Sequence, residues 1–316
     1  MFSGLLTIAV TCIMFRMIVF YRKKSVIKML LVNTDIAADV KTYCMDNRDQ
    51  YQAVLQKVNS FVDFAYKMYS MFTITVLMMM IVPLFNKEKV LLIKVWVPLD
   101  IDWKSNEIAF WIMYVFTNTT MAFCAISIGR CLFVWYIMLN ISLKYEILGY
   151  RLTNLKVKQH SSRMDIISCI KYHLDIKSNL QKFYDCFNSL FTYQIVTSNI
   201  SLCAEAFVLA FIHVETPFEY LLYFATMNYL LFEIFFILYY GNEITVNSEK
   251  LSTFLFQSKW FDQSHGIRKD IKIVMEILKR PVRLLVGFVI VFPLDLATFT
   301  SILNMSYSLF NILRNS

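Results

Sequence analysis

Glycine and proline are scarce in this chain, at 6 and 5 in 316 residues. So few turn residues exclude long flexible linkers. They also disfavour a membrane β-barrel, whose strands would read as short alternating segments separated by turns. Charge is scarce as well: Asp, Glu, Lys and Arg make up 17% of the residues, against about a quarter in soluble domains. The motifs of the commoner enzyme chemistries are missing, with no P-loop, no GxGxxG, no HExxH and no nucleophile elbow among the few glycines. The four histidines (His160, His173, His213 and His265) are scattered. Seven cysteines (Cys12, Cys44, Cys124, Cys131, Cys169, Cys186 and Cys203) show neither a CxxC pair nor metal-ligand spacing. Nothing in these patterns argues for an enzyme, a cofactor or a metal.

What is present is apolar. Hydrophobic residues make up 58% and aromatics 16%, and the mean hydropathy is +0.52. They gather into runs near the roughly 20 residues that a bilayer-crossing helix needs. Six such spans are expected, at about 2–21, 66–85, 108–141, 190–214, 218–240 and 284–313, which predicts an all-α, polytopic helical membrane protein. The first run lacks a basic start and a small-residue cleavage site before Arg22-Lys23-Lys24, so it reads as a retained span rather than a secretory signal. The net charge of +8 would suit nucleic acid, but no basic stretch is interleaved with exposed aromatics in a polar context. Basic cytoplasmic loops account for it instead. Segments 22–65, 144–186 and 242–283 hold 7, 8 and 8 Lys and Arg, whereas 86–106, 213–219 and the tail after 313 hold 4, 0 and 1. That asymmetry places the first set in the cytoplasm and the C-terminus outside.

The cytoplasmic segments carry apolar stripes of their own. Tyr51, Leu55, Val58, Phe61, Val62 and Ala65 recur at helical spacing before the second span. Ile166, Ile170, Leu174, Leu180 and Phe183 do so before the fourth, and Leu251, Leu255, Ile271, Val274 and Leu278 before the last. Such stripes need an apolar partner, so several spans are expected to extend inward and pack as an intracellular helical bundle. The alternative is helices lying flat on the membrane surface. His173, beside the Ile170–Leu174 stripe, is expected to be a packed, hydrogen-bonded histidine. With this topology every cysteine lies in a span or in the reducing cytosol, so no disulfide is expected. The N-x-S/T matches at Asn118, Asn140, Asn199 and Asn304 fall within spans and read as chance.

Ionisable residues within spans are costly and are functional candidates by default. Arg16 and Arg130 lie toward cytoplasmic ends and are expected to snorkel to the interface. Glu205, Glu233 and Asp295 should face a polar cavity or the protein interior, paired or protonated, with structural and pore roles both open. Trp96, Trp103 and Trp111 flank an extracellular connection and suit an interfacial aromatic belt.

Several elements, in order and spacing, resemble the insect odorant receptor family over nearly the full length. Val95-Trp96-Val97-Pro98-Leu99-Asp100 looks like that family's W-x-P-x-D element. Cys169-Ile170-Lys171-Tyr172-His173, with Leu180 and Ser201-Leu202-Cys203, is similar to its cytoplasmic helix and fifth span. Tyr240-Gly241-Asn242-Glu243-Ile244, followed by Ser248, Leu251 and Trp260, resembles the intracellular element before the last helix. Most specific is the end, Leu285-Val286-Gly287-Phe288 through Thr298-Phe299 to Asn304-Met305-Ser306-Tyr307-Ser308-Leu309-Phe310.

The resemblance implies seven spans, an intracellular N-terminus and an extracellular C-terminus. The first span here aligns with the family's second, so the family's first span and its leader are expected to be missing, with Met1 outside, as in a truncated gene model or a degenerate copy. The resemblance further implies an odour-gated, non-selective cation channel, a hetero-tetramer with a shared co-receptor subunit, in the plasma membrane of a sensory neuron dendrite. Its last helix would line the pore, with Ile302, Met305, Ser306 and Leu309 as pore-facing candidates. Small volatile ligands would bind among the outer halves of the spans, with Tyr69, Phe72, Met79, Tyr114, Asn118, Met121, Phe207 and Phe224 as candidates. A gustatory-receptor-type channel is the nearest alternative, although Ser306-Tyr307-Ser308 stands where that family carries a Thr-Tyr pair. Another polytopic membrane receptor or transporter is the remaining one.

Overall fold

The structure, a computed structural model, describes residues 2–43, 48–85, 107–155, 159–211, 217–287 and 291–315. The Val95–Asp100 element, Trp96, Trp103, Cys44 and His213 lie outside the described residues. Ten helices follow one another among those described: α1 (Phe2–Arg22), α2 (Lys24–Thr34), α3 (Ala37–Tyr43), α4 (Arg48–Phe85), α5 (Glu107–Thr153), α6 (Gln159–Phe211), α7 (Pro217–Glu249), α8 (Leu251–Gln257), α9 (His265–Leu278) and α10 (Leu296–Asn315). A two-residue antiparallel ladder, β1 (Leu285–Val286) on β2 (Phe292–Pro293), precedes α10.

Length shows what the helices do. α5 and α6 run for 47 and 53 residues, about 70 and 80 Å at 1.5 Å per residue, far more than the roughly 30 Å of a hydrocarbon core. Three helices are long and apolar enough to cross a membrane among the described residues: Glu107–Thr153, Arg163–Phe211 and Tyr223–Gln257. The surplus length packs on itself. Trp135, Ile137, Met138, Ile141, Tyr145 and Ile147 of α5 are sealed against Ile176, Phe183 and Phe187 of α6 and Leu30 of α2. At the other end large apolar side chains stand open: Ile74, Leu77 and Met78 of α4, and Ile108, Ile112, Val115 and Phe116 of α5. An exposed apolar belt of this extent needs a covering, and lipid supplies it.

The stripes that precede the spans do turn inward, with small shifts. In α4, Val54 and Phe61 are buried and Leu55, Val58 and Ala65 half-buried, but Val62 faces out. In α6, Ile166, Ile176, Leu180 and Phe183 are buried while Leu174 is exposed. In α9, Ile267, Ile271, Val274 and Leu278, at helical spacing, form the buried face. Asp39 of α3 pairs with Lys144 of α5 at 2.6 Å and accepts from the Tyr172 hydroxyl of α6 at 2.8 Å, which pins the short helix to both long ones.

The apolar run 284–313 is not one helix, a correction to the sequence expectation. Its first third folds back as the β1–β2 ladder, closed by the Leu294 amide donating to the Leu284 carbonyl at 2.8 Å. Gly287 at φ 139° adopts a backbone that side-chain-bearing residues rarely do, and Pro293 cannot continue a helix. Asp295 then caps α10: its carboxylate accepts from the Thr298 amide at 2.8 Å, the N-cap arrangement. The carboxylate expected to face a polar cavity or the protein interior therefore marks the start of a helix.

This junction explains Gly241. A Cβ there would sit 2.6 Å from the Leu294 carbonyl oxygen and 2.6 Å from its Cβ, so α7 meets the hairpin backbone directly. Gly241→Ala must push α7 off the start of α10, at a cost of about 1–3 kcal/mol for overpacking. The expected result is a lowered melting temperature of the purified protein and fewer copies at the cell surface. Unchanged thermal stability would show that the contact yields.

His173 is half-buried, edge-on to the Tyr145 ring at 6.2 Å, with Nδ1 enclosed and lacking a hydrogen-bond partner among the described residues. The sequence led us to expect a packed, hydrogen-bonded ring; the packing is there, but that nitrogen is not bonded. Burial, helped by Lys177, holds its pKa below the ordinary histidine value. In the unfolded chain the ring takes up a proton near pH 6.5, whereas the folded ring stays neutral to lower pH. Its contribution to stability is thus complete above about pH 6.5 and is lost as pH falls through the folded pKa. His173→Phe should flatten the stability profile in that acidic window, as thermal unfolding from pH 7.5 to 5 would read.

Candidate functional site

The centre of the bundle is polar. Arg16 of α1 is buried, and its Nη2 pairs with Glu233 Oε1 of α7 at 2.6 Å. The same nitrogen donates to Gln194 Oε1 of α6, and Nη1 donates to Ser127 Oγ of α5 at 2.7 Å. The Cys131 thiol, also on α5, donates to Glu233 Oε1 at 2.8 Å. One guanidinium thus ties four helices together, with partners on α5, α6 and α7. Its five N–H donors in a planar fork suit that use. Arg16 does not snorkel, contrary to expectation: the partner waits 217 residues away, and neighbouring helices close the route to the interface. Arg130 is half-buried, its guanidinium 5.3 Å over the Phe20 ring. Glu205 of α6 is buried beside Thr226 of α7, its Oε2 without a hydrogen-bond partner among the described residues.

Outward of this knot, the expected ligand residues divide. On α4 and α5, Tyr69 lies beside Gly129, where a Cβ would be 3.5 Å from its ring. Phe72 packs on the core, and the Tyr114 hydroxyl donates to the Met80 carbonyl at 2.7 Å. Asn118 and Met121 continue that face of α5, half-buried; the side chain of Met79 lies outside the described residues. Phe207 of α6 stacks instead toward Phe211 (5.2 Å) and, through it, Phe310 of α10 (5.7 Å). Phe224 of α7 is exposed. The expected residues are thus spread along the helices: Tyr69 meets α5 at Gly129 and Tyr114 meets α4 at Met80, while Phe207 and Phe224 lie on α6 and α7.

An apolar groove of about 500 Å³ lies between α6, α7 and α10, walled by Leu202, Ala206, Met227, Leu303, Ser306 and Tyr307 among others. None of the eight expected ligand residues lines it. The small side chains Ala206 and Ala210, one turn apart on α6, leave the space; that spacing was visible in the sequence but indistinguishable from ordinary helix packing.

The last helix shows two faces. Ile302 is buried, and Ser306 donates its hydroxyl to Asn199 Oδ1 of α6 at 2.6 Å, so both turn toward the bundle. Met305 and Leu309 turn out. With Met305 stand Ser301, Asn304 and Ser308, all exposed, forming a stripe of small polar groups along the helix. The Ser301 and Ser308 hydroxyls donate to the carbonyls of Ala297 and Asn304. Of the four expected residues the outward face keeps Met305 and Leu309, and it is rotated about a quarter turn from a face centred on Ile302 and Ser306. Trp111 is exposed near the start of α5, beside Phe110 and Tyr114, as an interfacial aromatic would be. Among the described residues, no cluster of His, Cys, Asp and Glu has the makings of a metal site.

Comparison with known proteins places this geometry. The family model described as 7tm Odorant receptor matches residues 2–307. Odorant receptor 94a of Drosophila melanogaster is 26% identical over 218 residues, covering 68% of this chain and 56% of that protein. Odorant receptor 30a of the same species is 28% identical over 241 residues, covering 73% and 61%. The chain thus spans less than two thirds of the length of these relatives. The fold matches the olfactory receptor OR5 of Machilis hrabei in complex with eugenol, with a TM-score of 0.79 at 17% identity, over 99% of this chain and 82% of that one.

Proposed function

The chain belongs to the 7tm odorant receptor family, and from that premise we propose that it is an odorant-binding subunit of a ligand-gated, non-selective cation channel. It is a multi-pass membrane protein. In this reading it assembles with a co-receptor subunit as a hetero-tetramer in the plasma membrane of a sensory dendrite. Small volatile apolar ligands bind between the outer halves of α4 and α5, against Tyr69, Phe72, Tyr114, Asn118 and Met121. Apolar burial of roughly 25 cal/mol per Å² dominates their affinity. Asn118 and the tyrosine hydroxyls supply the polar contacts that discriminate among them.

One observation carries the channel reading: the exposed stripe Ser301, Asn304, Met305 and Ser308 on α10. Small polar groups facing outward from a helix at membrane depth call for water or protein beside them, since lipid offers no hydrogen bonds. A pore shared with other subunits supplies water, and apolar Met305 and Leu309 on the same side give a constriction that dewetting can close. Opening then follows from a ligand's higher affinity for the open arrangement of the bundle.

The test is whole-cell current under a panel of volatiles, in cells expressing this chain with an insect co-receptor. Inward cation current that needs both subunits and a volatile is the expected result. Silence across the panel, with surface expression verified and a control receptor responding, would overturn the proposal.

A further inference from the structure

A second cavity, of about 610 Å³, lies between α4, α5 and α7. It goes beyond the odorant reading, because its lining is amphipathic rather than apolar. Phe64, Phe236 and Tyr239 form an aromatic wall, while Lys57, Glu146 and Glu243 supply charge. Lys57 Nζ sits 2.7 Å from both carboxylate oxygens of Glu146, which also accepts from the Tyr150 hydroxyl at 2.7 Å. Glu146 is therefore matched. Glu243 is not: among the described residues no cation pairs with it, though it lies one helical turn from Tyr239 on the cavity side of α7.

The depth of the cavity follows from the helix that builds it. Glu233, locked to Arg16 at the centre of the bundle, precedes Glu243 by ten residues, about 15 Å along α7. The span is expected to end at about residue 240, so Glu243, three residues on, lies about 5 Å past its inner end, at the level of the inner leaflet's headgroups. The basic residues of the sequence put this end in the cytoplasm. Lys57 is half-exposed at the rim, within reach of an anionic group from the leaflet.

We propose that this cavity holds the headgroup of an inner-leaflet aminophospholipid with a primary ammonium, of the ethanolamine type. Glu243 takes the ammonium, Lys57 offers its third N–H donor to the phosphate without leaving Glu146, and the acyl chains leave along Phe64 and Phe236. A primary ammonium brings three N–H donors to a carboxylate and the rings beside it. A trimethylated ammonium brings charge without donors, so the site distinguishes the two.

The test compares ethanolamine and choline phospholipids with identical acyl chains, which differ only at the ammonium. Native mass spectrometry of the purified full chain, titrated with each, reads the retained lipid directly. Wild type should retain the ethanolamine lipid about fivefold better, as one charge-assisted hydrogen-bonding site predicts after partial screening. Glu243→Gln should bring that ratio close to one, whereas Glu249→Gln, exposed and off the cavity, should leave it unchanged. Ser60→Trp, which fills the α4 wall of the cavity, should lower retention of the ethanolamine lipid if Glu243→Gln proves too unstable to purify. Equal retention of both lipids by wild type, or a preference that survives both cavity variants, would overturn the assignment.

Discussion

Arg16→Ala should nearly abolish surface expression. The substitution leaves Glu233 buried as an unpaired carboxylate, with Gln194 and Ser127 robbed of their donor, in a place where water cannot compensate. Removing one partner of a buried pair costs roughly 3–5 kcal/mol, a large part of the total stability of an ordinary domain. Glu233→Ala should be as damaging, since it strands the guanidinium. Replacing both ends by apolar side chains, Arg16→Met with Glu233→Leu, removes both charges at once and should recover much of the loss. Adding Gln194→Leu should recover more, because it removes a second polar group that depended on Arg16 and leaves only the small Ser127 and Cys131 side chains without their partner. Surface biotinylation beside the melting temperature of the purified protein separates these cases. Wild-type levels for Arg16→Ala, or a triple variant no better than the single one, would show that the knot does not hold the helices. If the triple variant reaches the surface but no longer responds to ligand, the polar knot is needed for gating rather than for folding.

This knot also shows where the sequence stops being legible. Arg16 and Glu233 both stood out as costly charges in apolar runs, but pairing them required knowing that α1 and α7 converge on α5 and α6. A contact 217 residues apart leaves no local trace. What periodicity could give, it gave: the inward stripes of α4, α6 and α9, and the surplus length of α5 and α6, follow from apolar spacing and hold in the structure. Even there a helix misread by one position changes which side chain turns out, as Val62 and Val54 show. The hairpin ahead of α10 was legible in principle, since Gly287 and Pro293 both break helices, but in a run of Leu, Val and Phe the hydropathy hid them. The rotation of α10 was not legible at all. Around a membrane helix the lipid side, the packed side and a pore side can all be apolar, so Ile302 and Met305 look alike until their neighbours are in place.

That rotation makes the pore prediction sharp. On the proposed reading, Met305 faces the conduction path and Ile302 faces the protein. A positive charge at 305 opposes each passing cation; at about 5 Å, with an effective dielectric between that of water and about 20, the repulsion is roughly 1–3 kcal/mol per subunit. Met305→Lys should therefore reduce single-channel cation conductance about five- to hundredfold at that energy, without loss of surface expression. Cysteine substitution tests the face itself. Met305→Cys and Ser301→Cys should let a cationic thiol reagent applied from outside block the ligand-evoked current, while Ile302→Cys should stay inert, shielded by the bundle. Asn304→Asp, on the same exposed stripe, should raise the selectivity for cations over anions, which reversal potentials in asymmetric salt would read. If Ile302→Cys is blocked and Met305→Cys is not, the helix turns in the assembled channel, and the face through Ile302 and Ser306 becomes the conducting one. If neither is modified and Met305→Lys conducts normally, α10 does not line the pore, and the polar stripe Ser301–Asn304–Ser308 must instead meet a neighbouring subunit.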